Sequence, residues 1–473
     1  MVEKLRTDLL VIGAGSGGLS VAAAAVQMGA NVILLEGHKM GGDCLNFGCV
    51  PSKALLAASK AAHAFRSSDV FGTPSTEPKV DYQAALSHVA ETILQIEPHD
   101  SQERFEALGV RVIREFGRFV SDREVRAGPY IIRARRIVVA TGSKAYIPDI
   151  EGLEKVPYLT NETLFDLKDT PSHLIIVGGG PIGVEMAQAH CRLGIQVTLL
   201  ESVGILSRDD PEMVAVLEKR LRSEGVNIKQ NVEVTKVIKS GAGVKIYLKN
   251  GEEVEGSHLL VAAGRQANLK NLDLSAAGVE HTEKGIQVSA NLKTTNSSVY
   301  AIGDVIGGLQ FTHVAAYHAG IILKSSLFAL PSTANYAHIP YVTYTDPELA
   351  QVGLTENQSR QKYGKKLEIC RFPYAGNDRA ITERSTEGFI KILVVRGRVV
   401  GVSIVGRQAG ELINFWSFVM SNRVKLSKVA QMIAAYPTLG EVNKRVAGSF
   451  FAPRLFKSTR IKKFVSFIQK WVP

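Results

Sequence analysis

Cysteine is scarce in this chain, with four residues in 473, tryptophan occurs twice, and only 21% of the residues are charged. So few cysteines cannot staple a chain of this length. Any close pair among them points to redox chemistry or metal binding rather than to a disulfide scaffold. No apolar run reaches the roughly 18 residues that a membrane span requires. Residues 1–8 lack the basic-then-apolar layout of a secretory leader, so the expected location is the cytoplasm. The 43 glycines and 17 prolines follow no period, which excludes a collagen-like chain, and 45% hydrophobic content excludes a disordered one. At about 150 residues per domain, the length suggests roughly three domains. Acid is also missing from one place. After Glu441 the chain holds Lys444, Arg445, Arg454, Lys457, Arg460, Lys462, Lys463 and Lys470 without a single Asp or Glu, and these account for eight of the net +11 charges. The basic excess belongs to the tail rather than to a broad nucleic-acid groove, and no nucleic-acid partner is expected.

What is present is an internal repeat. Residues 8–36, DLLVIGAGSGGLSVAAAAVQMGANVILLE, read as an apolar strand, a Gly-rich turn, an Ala-rich helix and a second strand ending in an acid. Residues 173–201, HLIIVGGGPIGVEMAQAHCRLGIQVTLLE, repeat the layout. Gly13 pairs with Gly178, Gly15 with Gly180, Gly18 with Gly183, Gly29 with Gly194 and Glu36 with Glu201, all at one common offset. A lone GxGxxG would be weak evidence, but two matched copies predict two dinucleotide sites. The first Gly makes the turn, the second lets backbone approach a pyrophosphate, and the third lets the helix lie on the sheet. The phosphates then meet free N–H groups at the helix N-terminus. Glu36 and Glu201 are placed to accept hydrogen bonds from ribose hydroxyls, and an acid at Glu201 favours NADH over NADPH.

Directly after the first copy comes GGDCLNFGCVPSK, with Cys44 and Cys49 five positions apart. One regular helix would set them about 140° apart with a rise of roughly 7.5 Å, too far for a bond between them. A bond needs an irregular backbone, which Gly48 and Pro51 can supply. The spacing is unlike a zinc hook and no second pair completes four ligands, so no metal site is expected. Burial of both as inert thiols is the bland alternative.

These motifs together resemble the flavoprotein disulfide reductases, whose members include glutathione reductase, dihydrolipoamide dehydrogenase and mercuric reductase. The resemblance runs through the Gly13–Gly18 turn, Gly41–Lys53, ATGS at Ala140–Ser143, Gly178–Glu185, AAGR at Ala262–Arg265, TTNSSVYAIGD ending at Asp304, and TDPELAQVG at Thr345–Gly353. It implies an α/β fold with two Rossmann-like domains, for FAD and NAD(P), and a C-terminal α+β dimerisation domain. The expected division is residues 1–153 and 269–337 for FAD, 154–268 for NAD(P)H, and 338–473 for the interface of a homodimer. It implies a redox-active Cys44–Cys49 disulfide, with Cys49 facing the flavin and Cys44 the acceptor. Lys53 and Glu185 would sit as a pair near the reactive ring; the residues alone would read as ordinary surface charges. Cofactor contacts are implied at Gly42, Lys53, Thr141, Gly142, Gly264, Arg265, Gly303, Asp304 and His313, with Asp304 on the ribitol. The implied route takes electrons from NADH through FAD to the cysteine pair and on to a disulfide, metal-ion or small-molecule acceptor.

The family's dithiol-handling members carry a catalytic histidine in a C-terminal His-Pro-Thr-x-x-Glu motif, whose counterpart here runs from Tyr436 to Glu441. A phenol is mostly protonated at neutral pH and is a poor base. That disfavours a dihydrolipoamide-type reaction. HDSQERFEALGV at His99–Val110 looks like mercuric reductase, but accessory thiols near either end are missing. A diaphorase-like transfer to quinone is a further option. A non-catalytic flavin fold used as a binding platform is disfavoured by the intact cysteine pair. Across the expected dimer, Tyr436 and Glu441 of one chain would meet the cysteines of the other. Cys191 and Cys370 read as buried small apolar residues.

From Ile461 onward, Phe464, Val465, Ile468, Trp471 and Val472 fall at helical spacing, while Arg460, Lys463 and Lys470 take other faces. This predicts an amphipathic basic helix, packed on the dimer partner or lying peripherally on an anionic membrane.

Overall fold

The computed structural model describes residues 2–472. They divide into two compact units. The first comprises residues up to Arg66, Thr76–Ser202 and Asn227–Ala334; the second comprises Ser67–Ser75, Val203–Val226 and the chain from Asn335 on.

In the first unit the two sequence repeats fold as two βαβ modules. The strand Glu3–Ile12 lies parallel to Val32–Leu35 on one side and to Tyr130–Val139 on the other. Arg111–Ile113 extends the sheet beyond Val32–Leu35, and Val299–Ala301 pairs with Tyr130–Val139, both parallel. Leu9, Leu10, Val11 and Ile12 are all buried, as expected of a parallel strand covered on both faces. The helix Ser16–Gln27 covers one face through Leu19, Val21, Ala22 and Ala25. In the second module, His173–Val177, Gln196–Glu201, Asn227–Gln230 and His258–Val261 form a four-stranded parallel sheet. The helix Pro181–Arg192 follows its first strand and begins with Pro181, whose missing N–H costs nothing there.

The second unit is built on a five-stranded antiparallel sheet in the order Pro340–Thr343, Glu348–Gly353, Arg398–Gly406, Phe389–Val395, Leu367–Pro373. The helices Ala409–Ser421 and Glu441–Phe456 bring Trp416, Val442, Val446 and Phe450 into its core. The Trp416 indole N–H donates to Asn443 Oδ1 at 2.7 Å, so the largest core side chain leaves no polar group unpaired. The short segment Val203–Val226 buries Met213, Leu217 and Leu221 and adds an electrostatic contact. Its Asp210 caps the helix Pro211–Ser223 by accepting from the Glu212 N–H at 3.1 Å. The same carboxylate lies 2.6 Å from the ammonium of Lys391, and both residues are 1% exposed. Glu356 at 2.9 Å and Glu212 at 3.4 Å complete the shell around Lys391.

Two readings change at the level of packing. Cys191 and Cys370 are half-buried rather than buried. Cys370 lies on the edge strand Leu367–Pro373, paired on one side only, and Cys191 lies in the last turn of its helix.

Removing the ammonium while keeping the side-chain length would leave the buried Asp210 carboxyl group without its partner. Lys391→Met is therefore expected to lower stability by about 3–5 kcal/mol. Urea unfolding of the variant followed by far-UV circular dichroism measures this; an unchanged midpoint contradicts it.

Candidate active site

The two glycine turns test directly whether a dinucleotide fits. Gly13 and Gly178 hold φ of +106° and +113°, a backbone that L side chains rarely adopt. A Cβ on Gly18 or Gly183 would stand 1.9 Å from the carbonyl oxygen of Gly13 or Gly178, so the helices could not approach their strands. Gly15 and Gly180 differ. A Cβ there would meet only the Gly42 Cα at 4.0 Å in the first turn and nothing within 4 Å in the second. The protein's own packing does not require those two glycines, and the open space there would let a ligand approach the backbone closely. Both turns thus fit a pyrophosphate at a helix N-terminus. Glu36 accepts from the Ala14 and His38 N–H groups at 2.8 and 2.7 Å, and Glu201 accepts from the Gly179 N–H at 2.6 Å. Both acids stand at the phosphate turn where the repeat places them.

The cysteine segment breaks into two helices. Cys44 lies in Gly42–Asn46, Phe47 and Gly48 interrupt, and Cys49 opens Cys49–Arg66. Gly48 permits the break because a Cβ there would come within 2.8 Å of Asp43 Oδ2. Pro51 sits in the first turn, where its lack of an N–H is tolerated. The interruption brings the two thiols into hydrogen-bonding contact. Cys44 donates to Cys49, and that bond is the largest influence on both: it pushes the Cys44 thiol far up and brings Cys49 down to about 6. Thr312 Oγ1 lies 3.2 Å from Cys49 Sγ and the charge of Lys53 acts on the same sulfur, both favouring the thiolate. Burial and the charge of Asp43 oppose it. Cys49 is exposed and Cys44 half-buried.

Lys53 is half-buried and its partner Glu185 is not a surface charge. Glu185 is 3% exposed, and its Oε2 accepts from Lys53 Nζ at 2.9 Å, joining the cysteine helix to the second βαβ module. A second cluster lies at the Asp304 end. Ser143 donates to Asp304 Oδ2 at 2.6 Å, and Arg265 donates through Nε to the Ser143 hydroxyl at 2.7 Å. Arg265 also reaches Asp43 Oδ2 at 3.1 Å, and Asn161 donates to Asp43 Oδ1 at 2.9 Å. Burial raises the Asp304 carboxyl above its ordinary range. The Gly303 N–H donates to Nδ1 of His318 at 3.2 Å, and burial lowers that imidazole to about 4, which keeps it neutral and able to accept.

Among the remaining expected contacts, Thr141 donates to the Asn268 carbonyl at 2.9 Å and Gly142 accepts from the Asn268 N–H at 3.0 Å. Gly42 opens the first cysteine helix, Gly264 accepts from the Tyr146 N–H at 3.0 Å, and His313 stacks on Phe311 with ring centroids 5.5 Å apart. Tyr436 and Glu441 belong to the second unit. Tyr436 is 68% exposed and donates to Asp378 Oδ2 at 3.0 Å, which raises the phenol's pKa further. Glu441 is buried at the start of Glu441–Phe456. Thr312, Asn161, Asp43, Ser143 and His318 were not foreseen as site residues, because each joins the cluster only through chain segments far apart in sequence.

Residues 7–319 match the family model for pyridine nucleotide-disulphide oxidoreductases, and residues 339–447 match the dimerisation domain of that family. The chain is 35% identical over 458 residues to a mercuric reductase from Lysinibacillus sphaericus, covering 95% of this chain and 84% of that one. It is 33% identical over 445 residues to a dihydrolipoyl dehydrogenase from Bacillus subtilis (strain 168), covering 92% and 96%. Its fold is similar to that of the HOCl-induced flavoprotein disulfide reductase RclA from Escherichia coli in its Cu(II) complex. There the TM-score is 0.85 at 27% identity, covering 93% of this chain and 99% of that one.

Because the bond from Cys44 dominates the Cys49 ionisation, iodoacetamide labelling of Cys49 in the reduced protein is expected to rise through a midpoint of about 6. In Cys44→Ala the midpoint should move toward the ordinary thiol value of about 8.5. Peptide mass spectrometry across a pH series checks this, and coincident profiles for the two proteins contradict it.

Proposed function

Since the chain belongs to the pyridine nucleotide-disulphide oxidoreductases, enzymes that use FAD and NAD(P)H, we propose that it carries two electrons from NADH to the Cys44–Cys49 disulfide and onward to an acceptor. When bound, FAD supplies the two-electron transfer from nicotinamide to sulfur. The supporting observation is the contact of the two thiols beside Thr312 and Lys53, in which the bond from Cys44 lowers the Cys49 thiol toward the thiolate. One hydride equivalent, two electrons and a proton, converts a disulfide to one thiol and one thiolate. The charge remains on Cys49, where Lys53 and Thr312 stabilise it, and the proton remains on Cys44. Glu185 holds the Lys53 ammonium in place.

Cys44 then meets the acceptor. A disulfide acceptor takes both electrons as its S–S bond breaks and one of its two sulfurs takes the Cys44 proton, while the Cys44–Cys49 bond re-forms. A metal ion or a small organic molecule would take the same pair of electrons. The relatives named for mercuric ion and for dihydrolipoyl groups support an acceptor that engages sulfur. Tyr436, whose hydroxyl is already donated to Asp378, does not supply a ready base, which weighs against the dihydrolipoyl reaction. In the homodimer that the matched dimerisation domain supports, Tyr436 and Glu441 of one chain would face the cysteines of the other. The expected division into FAD segments 1–153 and 269–337, an NAD(P) segment 154–268 and an interface segment 338–473 is part of this reading. So are FAD contacts through Gly15, Glu36, Arg265 and Asp304, NADH contacts through Gly180 and Glu201, and a tail that brings the enzyme against a membrane surface.

Anaerobic NADH addition followed by alkylation should expose two new thiols, at Cys44 and Cys49, in the wild type and none at Cys44 in Cys49→Ser. If NADH bleaches the flavin while the wild-type pair stays unreactive, the reading fails. Steady-state kinetics with both nucleotides test the cofactor preference. Glu201→Ala should lower the NADH-to-NADPH ratio of kcat/KM about tenfold, the worth of one charge-assisted hydrogen bond.

A further inference from the structure

Among the described residues, the tail leaves most of one apolar helix side exposed, with Ile468 half-buried. Thr459–Trp471 is helical, capped by Ser458, whose hydroxyl accepts from the Ile461 N–H at 3.4 Å. None of its residues is buried. At about 100° per residue, Ile461, Phe464, Val465, Phe467, Ile468 and Trp471 fall within one arc of roughly 160°. Lys462, Lys463 and Lys470 occupy the opposite arc. Arg460 lies just inside the apolar border, where a long stem can keep its guanidinium in water. Phe467, which the sequence reading passed over, is 58% exposed and packs its ring 6.2 Å from Trp471.

Two observations select the occupant of this face. The matched dimerisation segment ends at residue 447, before this helix begins. No acid follows Glu441, and the helix therefore presents only positive charge around its apolar side. An anionic bilayer complements both halves at once: acyl chains and interfacial carbonyls take the aromatic arc, and lipid phosphates take the lysines. We infer that Thr459–Trp471 lies in the plane of an anionic membrane surface, with Phe464, Ile468 and Trp471 inserted and Lys462, Lys463 and Lys470 on the headgroups. This rests on the membrane reading of the tail and is independent of the redox chemistry.

The structure also provides the probe. Of the two tryptophans, Trp416 is fully buried and Trp471 is 74% exposed, so a fluorescence change on membrane contact reports Trp471. The FAD-loaded full chain is mixed with vesicles of phosphatidylglycerol and phosphatidylcholine in equal parts, and with phosphatidylcholine alone. The anionic vesicles should co-sediment the protein and shift its emission to the blue, and about 0.5 M salt should weaken binding. Lys462→Glu, Lys463→Glu and Lys470→Glu combined, or Phe464→Ser with Ile468→Ser, should weaken binding at least tenfold. Their NADH-dependent thiol formation should stay as in the wild type. Absence of vesicle binding by the full chain overturns both this inference and the membrane reading. Binding that survives both sets of substitutions overturns this inference alone. A chain ended after Lys457 that sediments as a monomer shows the face to be covered by a second copy, and also overturns it.

Discussion

The candidate site is organised around the contact of two sulfurs. That contact exists because the helix carrying Cys44 stops at Asn46 and a new one starts at Cys49. Had the segment been continuous, the two thiols would have pointed to different sides of one helix. Once they meet, a single proton serves both, and the surroundings decide which sulfur keeps it. Lys53 and Thr312 pull the charge toward Cys49, while Asp43 discourages a second ionisation. The buried carboxylate of Glu185 matters for the same reason, since it fixes the one ammonium close enough to act on the pair.

The frame was legible in the sequence where physics is local. A glycine turn between a strand and a helix must use particular residues at particular spacings, so Gly13, Gly15 and Gly18 and their counterparts announced both modules. For the cysteine pair, the spacing showed that a bond would need a broken helix, and the structure has a break at Phe47–Gly48. The family resemblance carried Lys53, Glu185, Arg265 and Asp304 into view, which spacing could not have done. What stayed hidden is the set of groups that act on these residues from elsewhere in the chain. Thr312 meets Cys49 from 263 positions away, and Asn161 meets Asp43 from 118. A single threonine at the start of a helix carries no signature of such a partner.

Charge is handled in two contrasting ways. Inside the second unit, Lys391 is sealed among Asp210, Glu212 and Glu356, and this cluster holds the segment Val203–Val226 to a sheet far along the chain. In the helix Thr459–Trp471 the cations have no acid in their own segment and none is buried. The arrangement at Tyr436 lies between these extremes: the position that carries the histidine of the family's dithiol-handling members here holds a phenol bound to Asp378.

The glycines of each nucleotide turn are enforced by different agents. Gly18 and Gly183 are policed by the polypeptide, since any side chain strikes a carbonyl as soon as the chain folds. Gly15 and Gly180 have room around them in the protein alone, and only a dinucleotide would object to a methyl group there. Mutational drift at the outer pair would thus meet quality control during synthesis, whereas drift at the middle pair would yield a well-folded, long-lived protein that loads its nucleotide poorly and persists in the cell as an inert subunit.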